Sequence, residues 1–179
     1  QYQTQAGKLP LTMNGAIKPG IFSIRGDVSS QFISGLLLAL PLLPGDSVIK
    51  LTTPPESIGY IDMTLQMQKM FGIRIDFDRV ENKFFIPGWQ KYKPQHYQVE
   101  GDWSQAAFWL AAGVFSGPVA IDGLNPDSVQ GDKVIEAFLQ RMGAKLFWKE
   151  NSLIAQESQL KGIRMDVSQC PDLVPVLAI

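Results

Sequence analysis

The sequence predicts an α/β (α+β) protein assembled from a repeated β-α-β-α-β-β unit, and three observations carry that prediction. A strand-to-helix corner occurs three times: "IRGDVSSQF" at 24–32, "VEGDWSQAAF" at 99–108 and "IRMDVSQCPDL" at 163–173. Landmarks inside the unit keep their distance: Ser57 and Ser128 are 71 positions apart, as are Gly72 and Gly143. Asp27 and Asp102 are 75 apart, which a small loop change explains. Each corner also leads into an apolar run of helical length, and each glycine of the pair into two short alternating runs.

The elements follow in order. A short strand ends in Gly-Asp, and Asp or Ser then caps a helix, "SSQFISGLLLAL" in the first copy and "SQAAFWLAAGVF" in the second. A strand comes next, "SVIKLTT" or "GPVAIDGL". A helix started by Ser57 or Ser128 follows, closed by Gly72 or Gly143. In "YIDMTLQMQKMF" the apolar residues at 61, 63, 65 and 67 alternate as in a strand. The partner run decides for helix, because Val134, Ile135, Phe138, Leu139 and Met142 follow helical spacing. "IRIDFDRV" with "KFFIPG", and "AKLFWKE" with "SLIAQES", close each copy as a hairpin. "GWQKYKPQHYQ" at 88–98 is polar and aperiodic, the best candidate for a linker. Residues before Ile24, including "LPLTMNG", would supply strands of an earlier copy, and a third copy begins at Ile163.

A chain of 179 residues with 45% hydrophobic and 18% charged side chains is an ordinary globular protein of one large or two small domains. Net charge is −1 with scattered Lys and Arg, which leaves no footprint for nucleic acid or an anionic membrane. The run "ISGLLLALPLL" is cut by Pro41 and reads as a buried helix, and no apolar run reaches spanning length. One Cys rules out an internal disulfide framework and suits a reducing compartment. The N-terminus lacks the basic start and apolar stretch of a signal peptide. The chain starts with Gln and stops inside an apolar segment, so the reading is of a piece of a longer polypeptide.

Three places could carry chemistry. A helix start offers unpaired N–H groups and partial positive charge, which hold phosphate or carboxylate. Ser29 and Ser30 add two hydroxyls there and Gln31 an amide. Ser57 and Tyr60, three residues apart, share one side of the next helix's first turn. Asp172 follows Pro171 at the start of the third copy's helix; in a closed cleft such a carboxylate serves as a general base. Each also has a plainer reading: capping for the serines, with Ser104-Gln105 as a cap in copy two, half-burial for Tyr60 and dipole complement for Asp172. Cys170 has no base nearby and reads as packing; His96 reads as a solvated loop side chain. No metal-ligand spacing, phosphate-binding Gly loop or Ser–His–Asp pattern occurs, so no metal or cofactor is expected.

Together the stretches "GDVSSQFISGLLLALPLL", "ESIGYIDMTLQMQKMFGI", "YQVEGDWSQAAFWLAAG", "DSVQGDKVIEAFLQRMGA" and "MDVSQCPDLVPVLA" resemble the 5-enolpyruvylshikimate-3-phosphate synthases. They run in the family's order over nearly the whole chain. The resemblance implies two domains of the inside-out α/β barrel type, each of three such units around a pseudo-threefold axis. Residues 1–97 would then be the C-terminal part of the shikimate-phosphate-binding domain, and 98–179 the first part of the second, with the polar linker as a hinge crossing. It further implies a cytoplasmic transferase that moves the enolpyruvyl group of phosphoenolpyruvate to the 5-hydroxyl of shikimate 3-phosphate, in chorismate and aromatic amino acid biosynthesis.

Carried over by position, Ser29, Ser30 and Gln31 look like the triplet holding shikimate 3-phosphate, with Gln31 also near phosphoenolpyruvate. Ser57 and Tyr60 look like further contacts to the same ligand, and Asp172 like the carboxylate handling the proton of the attacking hydroxyl. Two departures stand out. Two such anionic substrates need converging Lys and Arg, which this chain lacks and the family keeps in segments beyond both ends. Ile58 stands where relatives often have Lys. The partners implied are therefore the two substrates and the remaining segments of the parent enzyme, and the piece alone is expected to be inactive. The alternatives are a relative acting on UDP-N-acetylglucosamine, which lacks the Ser-Ser-Gln and Ser-x-x-Tyr pattern, or a non-catalytic repeat module. Basic segments on both sides in the parent reading frame would favour the enzyme.

Overall fold

A computed structural model of the chain describes residues 8–179. Residues 1–7, on which the reading of the N-terminal end falls, lie outside the described residues. The first unit runs β1 (Ile21–Ile24), α1 (Ser30–Ala39), β2 (Ser47–Leu51), α2 (Ile58–Met70), β3 (Asp76–Asp78) and β4 (Lys83–Ile86). The second runs α3 (Trp103–Ser116), β5 (Val119–Asp122), α4 (Val134–Met142), β6 (Lys145–Lys149) and β7 (Ser152–Gln156). A 3-10 turn at Pro171–Leu173 then leads into α5 (Val174–Leu177).

The repeat is visible in the sheets. One sheet has the order β1-β2-β4-β3 and the other β5-β7-β6, so β5, β7 and β6 repeat β2, β4 and β3. β1 and β2 are parallel with Ile21 opposite Val48, the crossover being α1, and the remaining pairs are antiparallel. Two cores result. Ile33, Leu37 and Leu40 of the first helix region pack on Ile49, Ile61, Phe84 and Ile86, and the Phe77 and Phe84 rings stack at 4.0 Å. Trp103, Leu110, Val114, Ile135 and Leu153 centre the other core, which also holds Cys170 and Leu173. Each fully buried aliphatic side chain contributes about 1.5–3 kcal/mol relative to exposure.

The helix over α2 forms as its repeat partner predicts, and Gly72 and Gly143 end their helices with φ of 82° and 104°, backbone that favours glycine. Several expectations need correction. The strands expected before the second and third corners do not form. The first corner is zipped by Val48 N to Gly20 O and Thr52 N to Ile24 O, whereas the second has the single bond Gly101 N to Gly123 O at 2.7 Å, too little for a ladder. Residues 8–20 hold an isolated bridge at Leu11 rather than strands: Pro10, Gly15, Pro19 and Gly20 punctuate the segment, and Leu9, Leu11, Met13 and Ile17 are exposed.

The polar segment 88–98 also behaves differently from a free linker in its first half. Trp89 N bonds Leu43 O, Gln90 N bonds Pro41 O and Lys93 N bonds Phe71 O, which straps it across the first unit. Tyr92 closes the strap through its hydroxyl to Leu38 O and accepts from the buried Gln68 amide. Gly88 starts the strap where a Cβ would drive into the Gly45 backbone. Gly88→Ala is therefore expected to lower stability by about 1–3 kcal/mol in a denaturant melt. Faster tryptic cleavage after Lys91 should accompany it, Lys93 being protected by Pro94.

Candidate functional site

The site is assembled from helix starts. At the first corner Gly26 allows a close approach, since a Cβ there would lie 2.6 Å from Thr53 O. Thr53 Oγ1 accepts from the Gly26 and Asp27 amides and donates to Asp27 Oδ1 at 2.8 Å. Arg25 grips Asp27 with two bonds of 2.9 and 2.8 Å, and together with Thr53 holds that carboxyl well below the usual carboxylate range. Asp27 thus shapes the corner and leaves the helix start to the serines. Ser29 is the cap of α1, its Oγ accepting from Gln31 N at 3.2 Å. The Ser30 hydroxyl and the exposed Gln31 amide have no partner among the described residues. The plainer reading, capping alone, therefore accounts for Ser29 but not for its two neighbours.

At the start of α2 the geometry is unusual. Ser57 sits at φ 52°, ψ 45°, a left-handed conformation costing about 1–3 kcal/mol for a non-glycine residue, and its hydroxyl caps nothing. The capping bond comes instead from the other end of the chain: Ile58 N donates to Gln169 Oε1 at 3.2 Å. Gly59 follows without a side chain, a Cβ there lying 3.0 Å from Val129 O and Gly131 N. The Tyr60 phenol donates to Asp132 Oδ2 at 2.5 Å and stands 3.4 Å from Asp172 Oδ2. Burial, then Asp132, pushes the phenol's pKa up. Burial also pushes the Asp132 carboxyl up, against the Tyr60 bond, with Asp172 and Asp102 adding to the rise.

Ser29, Ser30, Gln31, Ser57, Tyr60 and Asp172 line one cavity of about 440 Å³, with Ser34, Thr64, Glu56 and Met63. That volume is in the range of small-molecule sites. Its lining includes no Lys or Arg and two acids, Glu56 and Asp172. Ser34 and Thr64 bond each other at 2.9 Å across its floor, joining α1 to α2. Asp172 stands exposed in the cavity wall, so the desolvation invoked for a general base is not supplied by this chain. Hollows of about 430 and 810 Å³ lie along α4 and beside α2 near Arg74, without the helix-start hydroxyls. Among the described residues no group of three or more His, Cys, Asp or Glu could hold a metal. No helix among them is long and apolar enough to cross a membrane.

The second copy shows why its serines differ. Asp102, not Ser104, caps α3, and the Ser104 hydroxyl bonds the same carboxylate. Ser128 starts no helix: it donates to Glu100 at 2.5 Å and accepts from Gln130 N, and α4 begins only after a 3-10 turn at Gly131–Lys133. Cys170 is buried in the core and His96 lies in an exposed loop. Two residues of the site escape sequence reasoning, Asp132 and Gln169. For Asp132 a signal exists, because the 71-residue offset places it on Ile61, a fully buried core position of the first copy. An aspartate at a core position requires a partner. For Gln169 the signal is the corner repeat itself, since Ser168-Gln169 repeats Ser30-Gln31 and Ser104-Gln105.

Comparison with known proteins agrees with this architecture. The sequence model of the family described as EPSP synthase (3-phosphoshikimate 1-carboxyvinyltransferase) matches residues 1–179. The 3-phosphoshikimate 1-carboxyvinyltransferase of Clostridium kluyveri is 50% identical over 177 residues, covering 99% of this chain and 41% of its own length. That of Clostridium acetobutylicum is 50% identical over 179 residues, again covering 99% and 41%. The chain therefore spans 41% of the length of these curated relatives. Among solved structures, EPSP synthase from Acinetobacter baumannii superposes with a TM-score of 0.68 at 24% identity, over 98% of this chain and 41% of that one. The enolpyruvyl transferase NikO from Streptomyces tendae gives 0.60 at 18% identity, over 78% and 35%. These two are likenesses of fold.

Proposed function

The chain belongs to the EPSP synthase family, and from that premise we propose that it is a section of a cytoplasmic enzyme of chorismate biosynthesis that transfers the enolpyruvyl group of phosphoenolpyruvate to the 5-hydroxyl of shikimate 3-phosphate. Residues 1–97 belong to one domain and 98–179 to the next, each sheet with its own core. The observation that carries the reading is the shared cavity, where hydroxyls and an amide from two helix starts meet the carboxylate of Asp172, with Glu56 as a second acid in the lining. Ser29, Ser30 and Gln31 hold shikimate 3-phosphate, Gln31 also approaching phosphoenolpyruvate. Ser57, its hydroxyl free of capping, and Tyr60 add contacts to the sugar-acid phosphate.

Asp172 takes the proton of the 5-hydroxyl as that oxygen attacks C2 of phosphoenolpyruvate and C3 gains a proton. The tetrahedral intermediate then loses a C3 proton and expels inorganic phosphate, restoring the enol ether. Asp172 must lie within hydrogen-bond reach of that hydroxyl, and closure around the substrates supplies the desolvation that its exposed position lacks. Glu56 and Asp172 oppose anionic ligands, since like charges 4–6 Å apart cost roughly 3–4 kcal/mol at an effective dielectric of 20. The compensating Lys and Arg come from the rest of the longer enzyme, which is also its partner in forming the site.

The 179-residue chain alone is expected to release no phosphate from the two substrates and to bind shikimate 3-phosphate weakly. Thermal protection tests the ligand: at ten times Kd, stabilisation is about 1.4 kcal/mol. That corresponds to a Tm rise of about 3–6 °C. Protection by UDP-N-acetylglucosamine and not by shikimate 3-phosphate would move the assignment to the related transferase. Protection of the full-length protein by neither would favour a non-catalytic module. Turnover by the isolated chain would overturn the view that the basic residues lie elsewhere.

A further inference from the structure

We propose that Asp132 is a positioning residue of this site, its carboxylate taking the hydrogen bond of the Tyr60 phenol and setting where that phenol stands in the cavity. The inference rests on reading the cavity as a substrate site. Two carboxylates compete for one phenol proton, and the distances decide between them: 2.5 Å to Asp132 against 3.4 Å to Asp172. Asp172 is thereby left free for other work. A phenol has one proton to donate. With that proton committed to Asp132, Tyr60 meets a ligand as an acceptor, suited to a ligand hydroxyl rather than to a phosphate oxygen.

Burial argues that this bond is why Asp132 is there. The residue is 1% exposed, and its Oδ1 has no hydrogen-bond partner among the described residues. A buried carboxylate with one oxygen unpartnered is costly, and an apolar side chain of similar size would avoid that cost, as Ile61 does at the equivalent place in the first copy. The carboxylate persists where its one bond is needed. The surroundings fix its geometry further: Gln169 caps the helix that carries Tyr60, and Gly59 lets that helix start close against the 129–131 backbone. The phenol is thus referenced to the second and third copies at three successive residues, 58 to Gln169 and 59 and 60 to the 129–132 turn.

The test uses the full-length enzyme with Asp132→Ala, Asp132→Asn, Tyr60→Phe and the Tyr60→Phe, Asp132→Ala pair. The first readout is the exchange-protected hydroxyl proton of Tyr60 in the NMR spectrum, assigned by its loss in Tyr60→Phe. We expect it downfield in the wild type, absent in Asp132→Ala, and retained at a less downfield shift in Asp132→Asn. The second is the Kd for shikimate 3-phosphate by NMR titration. Asp132→Ala should raise it at least about 5-fold, Asp132→Asn less than about 2-fold, and Asp132→Ala in the Tyr60→Phe background less than about 2-fold. An unchanged hydroxyl resonance in Asp132→Ala, or equal weakening in both backgrounds, overturns the proposal. Asp132→Asn keeps the side-chain volume and decides the matter if Asp132→Ala does not fold. A wild-type full-length enzyme that binds no shikimate 3-phosphate overturns the proposed ligand, while the hydroxyl resonance still decides whether Asp132 holds the phenol.

Discussion

Asp172→Asn in the full-length enzyme is expected to cut kcat by about 10²–10⁴-fold, the usual worth of a positioned general base. The Michaelis constant for shikimate 3-phosphate should change less than about threefold, because the amide keeps the shape and loses only the ability to take a proton. Local structure makes this a clean substitution. Pro171 opens the 3-10 turn, and the buried Cys170 and Leu173 anchor it on either side, so the exposed residue between them is displayed without bearing packing. Steady-state phosphate release with each substrate varied in turn is the measurement. A variant retaining turnover within tenfold of wild type would remove Asp172 from the role of base and leave it as a charge at the helix start.

The second large effect is on stability. Trp103→Ala should cost about 3–5 kcal/mol, the range for truncating a fully buried large aromatic. That is a large share of the 5–15 kcal/mol typical of a folded domain. Trp103 is the first residue of α3 and fully buried; its amide donates to Gln130 Oε1 at 2.9 Å, and its ring meets Trp148 edge-on at 6.3 Å. The loss therefore reaches the turn that carries Asp132 as well as the β5-β7-β6 sheet. Hydrogen exchange should show amides of β5 and β7 losing protection while those of β2 and β4 keep theirs. Equal loss in both sheets would mean that the two cores unfold as one body, against the proposed division near residue 97. A cost under about 1 kcal/mol would contradict the central place given to Trp103.

Much of this was legible because a repeat is a local property read twice. The helical spacing of Val134, Ile135, Phe138 and Leu139 resolved the ambiguous run in α2, and the alternating runs after each glycine became the hairpins β3-β4 and β6-β7. Where the reading failed, a long-range bond had replaced a local one. Ser57 and Ser128 look alike in sequence, yet neither caps a helix: Gln169 takes the first one's place from 112 positions away, and Glu100 claims the second. The strands expected to end at Gly101-Asp102 and, in the third copy, at Met165-Asp166 had the right residues but no neighbouring ladder of sufficient length.

Taken alone, the residue order determined the repeated unit, the helix starts and the set of polar side chains placed at them, because periodicity, caps and turn glycines act within a few residues. Tertiary structure alone decided that these starts share one cavity, that its lining carries acids and no bases, and that the Tyr60 phenol is held by Asp132 rather than Asp172. Those outcomes depend on which surfaces meet across the two units, and hydrogen bonds between residues 72 positions apart leave no mark in local spacing.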